Sequence, residues 1–105
     1  MASKSEIASP WYRYGTDKHY QAWCRKQPCA VTGAVGNVVY AHYRTAANSG
    51  IAIKPVYSGV PMDAETHRLQ HQIGQYALKS RIWWEQTVEK HLRAWAKARK
   101  NAGQD

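Results

Sequence analysis

The last third of the chain places the strongest constraint on the fold. Trp84, Val88, Leu92 and Trp95 recur at steps of four, four and three, the spacing that gathers apolar side chains on one face of an α-helix. The pattern predicts a helix from about Ser80 to about Arg99. A helix with one apolar face must bury it against another layer. The segments before it are broken by Pro and Gly and read as a mixture of elements, so the expected fold class is α+β.

Those segments read as follows. Residues 1–15 form a polar arm punctuated by Pro10 and Gly15. From Thr16 to about Lys26, Tyr20, Trp23 and Cys24 fall at helical spacing, with Thr16 or Asp17 as the cap. "QPCAVTGAVG" predicts a short strand and then a turn, and "NVVYAHYR" (37–44) a second strand. Together they predict a β-hairpin ending near His42. Residues 45–60 hold no helical period and read as a long loop, an arrangement usually kept for function in a small domain. Pro61 and Asp63 mark a helix entry, with Asp63 as N-cap, and the helix runs to about Ile73 and stops at Gly74. No internal repeat is present. One domain is expected over residues 16–100, with a frayed tail at 101–105.

Fifteen Lys and Arg against seven Asp and Glu give a formal charge of +8, which points to an anionic partner, nucleic acid first. No run of 18 apolar residues exists, so no membrane-spanning helix is expected. The first residues lack the apolar stretch of a signal peptide, so a cytoplasmic protein is expected. Cys24 and Cys29 are then expected as free thiols, because disulfides are rare in a reducing compartment. Five Trp, seven Tyr and no Phe suit half-buried positions, where a ring meets the core and a polar tip meets water.

Chemistry concentrates in "THRLQH" (66–71). His67 and His71 stand four residues apart, and on a helix such residues share a face with Cβ atoms roughly 5–6 Å apart. The pair is either a helix surface or two legs of a cation site. A hairpin packed on this helix can bring His42 alongside. Such a group suits phosphodiester hydrolysis: a neutral imidazole takes a proton from water, and a divalent ion neutralises the leaving oxygen. Arg44, two residues beyond His42, can contact a phosphate. Lys54, Arg68, Lys90, Arg93 and Lys97 are further candidates for phosphate contact; the stretch 90–100 holds no acidic residue.

In order, the chain contains "QPCAVTG", "YAHYR", "SGIAIKP", "GVPM", "THRLQH" and "WWE". This series, over about residues 22–96, resembles the HNH, or ββα-metal, nuclease superfamily, and within it the small phage and prophage nucleases related to the RecA-dependent nuclease Ref. The resemblance implies a ββα-metal core with flanking N- and C-terminal helices. It implies a metal-dependent DNA endonuclease with His42 as general base, His67 and His71 as metal ligands, and a possible recombination role beside a recombinase filament. The chain also departs from the pattern. Where the family builds a four-cysteine zinc knuckle, the corresponding positions are Cys29, Thr32, Asp63 and Thr66, so packing against the Trp-rich final helix is expected in place of that metal. Before the base stands Ala41 rather than a third ligand. Two imidazoles suit Zn, Ni or Mn better than Mg. The alternative reading is a catalytically degenerate member that binds nucleic acid and cuts nothing. A third is a small protein that binds a protein partner through exposed aromatics.

Overall fold

The computed structural model describes residues 15–45 and 57–102. They form helix α1 (Asp17–Cys24), strands β1 (Val38–His42) and β2 (Gly59–Asp63), then helices α2 (Ala64–Ile73), α3 (Gln75–Leu78) and α4 (Arg81–Asn101). The fold is mixed α+β with one two-stranded antiparallel sheet. Residues 1–14 of the predicted arm, 46–56 of the predicted loop with Lys54 among them, and 103–105 of the predicted tail lie outside the described residues.

The hairpin is not the one the sequence predicts. β1 pairs with β2, in register from Val38 opposite Asp63 to His42 opposite Gly59, so residues 43–58 join the two strands, and Gly59 and Val60, expected in the loop, belong to β2. The predicted first strand is instead a turn: Cys29 N–H donates to Ala34 O at 2.8 Å and Gly33 N–H to Cys29 O at 2.8 Å. Ala30 N–H then hooks that turn onto β2 by donating to Pro61 O at 2.8 Å. Pro61, expected at a helix entry, sits in β2, and a strand with a free edge tolerates its missing N–H.

Helix boundaries follow local chemistry. Thr16 caps α1 by accepting from His19 N–H, Asp63 caps α2 by accepting from Thr66 N–H, and Ser80 caps α4 by accepting from Trp83 N–H. Gly74 ends α2 at φ +91°, a conformation costly for other residues. The final helix extends past the expected Arg99 to Asn101.

The sheet separates two apolar clusters. On one face Cys29, Ala41, Tyr43, Val60 and Met62 pack with Trp84. On the other, Tyr20 and Cys24 of α1 pack with Tyr40. The predicted stripe of α4 serves both: Val88 lies against the first cluster, Leu92 and Trp95 against the second. Cys24 and Cys29 are buried free thiols, and burial pushes the Cys24 thiol up to about 12. Among the described residues no helix is long and apolar enough to cross a membrane.

Candidate functional site

Register and helical period together build the site. His42 ends β1, directly before the long loop. On α2, His67, Gln70, His71 and the terminal Gly74 follow the spacing i, i+3, i+4, i+7, one face of a helix. All four line a single open cleft of about 520 Å³ with Tyr40, His42, Arg44 and Gln75. The three histidines, one from β1 and two from α2, therefore meet at one cleft, as does Arg44.

The paired imidazoles face each other. His67 Nε2 and His71 Nε2 are 3.1 Å apart, with ring centroids at 4.5 Å and planes at 71°. Two nitrogens bound at about 2.05 Å to one ion stand roughly 2.9 Å apart at a right angle and 3.4 Å apart in a tetrahedron, so the observed separation fits chelation of one cation. Burial, then the neighbouring His71 and His42 rings, push His67 below its ordinary pKa, which keeps its lone pair free near neutrality. His42 is likewise pushed down, first by burial and then by Arg44. Its ring meets Tyr40 edge to face at 4.9 Å. Among the described residues no third His, Cys, Asp or Glu completes a metal-binding group.

Two glutamines, Gln70 inside the "THRLQH" fragment and Gln75 outside any fragment, hold this end of the hairpin. Gln70 Nε2 donates to His42 O at 3.3 Å. Gln75 grips the Arg44 main chain in both directions, accepting from its N–H at 3.1 Å and donating to its carbonyl at 2.6 Å, much as a neighbouring strand does. Trp84 then fixes Gln75, its indole N–H donating to Gln75 O at 2.8 Å. The buried tryptophan of α4 thus sets the rim of the cleft. The helical face shared with His67 and His71 is the signal that could have found Gln70; nothing in the sequence marks Gln75.

The remaining basic candidates fall elsewhere. Arg68 is exposed, pairs with Glu65 at 3.3 Å, and lines a separate hollow with Leu69 and Gln72. Arg93 pairs with Glu89 at 2.5 Å: the acidic neighbour lies one residue before the stretch that reads as free of them. Lys90 and Lys97 are exposed on α4, and Lys90 borders another hollow with Trp83 and His91.

The four positions matched to a zinc knuckle come together at the other end of the hairpin. Asp63 Oδ2 accepts from Thr32 Oγ1 at 3.0 Å and from Thr66 Oγ1 at 2.8 Å, and Asp63 Oδ1 accepts from Thr66 N–H at 2.9 Å. Cys29 Sγ accepts from the Val31 and Thr32 N–H groups at 3.4 Å each. Thr66, with lesser help from Cys29 and Thr32, holds the Asp63 carboxyl down at about 2. Cys29 shares its apolar cluster with Trp84 of α4, beside a hydrogen-bonded carboxylate. Comparison of the chain with protein-family models, curated proteins and solved structures finds no match in any of the three.

Proposed function

We propose that this protein is a metal-dependent DNA endonuclease with a ββα-metal arrangement of the HNH type. The observation that carries the reading is the meeting of His42, Arg44, His67 and His71 at one solvent-open cleft. The order strand, strand, helix supports it, with His42 at the end of β1 and the paired imidazoles on α2. So does the charge of +8, which favours a polyanionic substrate.

In this reading His67 and His71 hold a divalent ion, Mn, Ni, Zn or Mg, which when bound supplies charge neutralisation at the leaving 3′ oxygen. His42, kept neutral by burial, takes the proton of the attacking water. Arg44 fixes a phosphate oxygen, its main chain held by Gln75. Lys90 and Lys97 add sequence-independent contacts to the backbone. The resemblance to phage and prophage nucleases extends the proposal to a recombination setting.

The test is incubation of purified protein with supercoiled plasmid and each metal in turn. The expected result is nicking that His42→Ala lowers by roughly 10²–10⁴-fold while DNA affinity is retained. A second reading, a fold that binds DNA and cuts nothing, is favoured by the missing third protein ligand among the described residues. It predicts salt-sensitive DNA binding with no nicking in any metal.

A further inference from the structure

Two buried polar atoms among the described residues lack a hydrogen-bond partner: His42 Nδ1 and Gln70 Oε1. They belong to residues that are already joined, the Gln70 side chain to the His42 main chain. Gln70 is only 8 % exposed, and its Nε2 donates to the His42 carbonyl. That carbonyl can only accept, so the amide cannot be turned over without setting oxygen against oxygen. Gln70 Oε1 is therefore an acceptor without a donor, and both unmet atoms are closed to water.

A neutral imidazole carries one N–H and one lone pair. With the proton on Nε2, the His42 Nδ1 lone pair and Gln70 Oε1 are two buried acceptors, neither satisfied. With the proton on Nδ1, donor and acceptor match. The hydrogen bond made by one ring nitrogen decides what the other can do. We propose that Gln70 is a positioning residue that sets the tautomer of His42: its Oε1 accepts from Nδ1–H after a side-chain rotation at either residue, which leaves the Nε2 lone pair for chemistry. The use made of that lone pair rests on the nuclease reading; the tautomer does not.

The test is ¹⁵N NMR of the whole protein, with long-range proton–nitrogen correlations across each ring at a pH where the rings are neutral. His91 supplies an internal standard, because its Nδ1 lies 2.8 Å from Thr87 O and must donate. The expected wild-type pattern for His42 is a protonated Nδ1 and a bare Nε2. Gln70→Leu removes the acceptor and should move His42 toward the Nε2–H form that free histidine favours. If nicking is present, Gln70→Leu should lower kcat about 10–100-fold, by analogy with the loss of an outer partner of a working histidine, with KM little changed. A wild-type His42 protonated on Nε2 overturns the proposal, as does a Gln70→Leu spectrum that leaves His42 unchanged. The wild-type spectrum decides even where the variant does not fold, as an altered His91 pattern would reveal. Plasmid left uncut by the wild type bears only on the proposed function.

Discussion

The two ends of the hairpin solve opposite problems with similar materials. At one end Val38 faces Asp63, and Asp63 ties Thr32 and Thr66 together while capping α2. At the other end His42 faces Gly59, and the cleft holds two facing imidazoles and two polar atoms with no partner. The first end stitches turn, strand and helix with an ionised carboxylate and hydroxyls. Unmet buried atoms are costly, so a fold keeps them mainly where something else is gained. The contrast separates an end closed by hydrogen bonds from one that leaves an open cleft, and α2 carries both: its cap serves the first and its second half lines the other.

Gly59 gives the sharpest way to break the comparison, because it links the strand pairing to the cleft. Its N–H donates to Tyr40 Oη at 2.8 Å, and its carbonyl accepts from Tyr20 Oη at 3.0 Å. A Cβ there would stand 2.4 Å from Tyr40 Cζ, and that ring meets His42. Gly59→Ala should destabilise the protein by about 1–3 kcal/mol through overpacking, measured by urea titration, and should also weaken metal binding by disturbing the cleft. Asp63→Ala should cost about 1 kcal/mol through loss of the N-cap and leave metal affinity at the paired histidines unchanged in calorimetric titration. A fall in metal affinity in Asp63→Ala equal to that in Gly59→Ala would show that the two ends are not separate.

What the sequence revealed was local. The caps at Thr16, Asp63 and Ser80 and the stop at Gly74 are chemistry within a few residues, and each stands where its side chain predicts. The stripe on α4 is periodic, so it too was legible. The pairing of β1 with β2 was not. Its partner lies beyond the loop, and "GVPMD" contains a proline and no alternation, which masks a strand. Buried on nearly its whole length, β2 has no polar face to produce a period of two. His42, His67 and His71 stood out through the ordered fragments around them, since an i, i+4 pair alone reads equally well as a helix surface. Gln70 lies inside "THRLQH" and Gln75 outside any fragment, yet neither had a role on sequence, since an amide acquires one only from what it touches. Thr32, Asp63 and Thr66 read as losses from a metal site, yet their hydroxyls and carboxylate bond one another.

Acid sharpens the comparison further, with the smallest effect. His42 and His67 are held below their ordinary pKa, in both cases first by burial, and so is His91 outside the cleft. The unfolded chain binds these protons more readily, so stability begins to fall as pH drops below about 6.5 and continues until the folded-state values are passed. Asp63 titrates lower. Its folded value of about 2 lies beneath the roughly 3.9 of the unfolded chain, so the carboxylate's contribution is complete above that value and is lost as pH falls through about 2. Urea midpoints taken from pH 7 downward should therefore decline in two stages, one from the histidines and one from the clasp. Asp63→Asn should flatten the lower stage and leave the upper one in place, because the amide cannot take up the proton. An equal loss of slope in both stages would mean that the carboxylate and the imidazoles titrate as one network, and the division of the hairpin into two independent ends would fail.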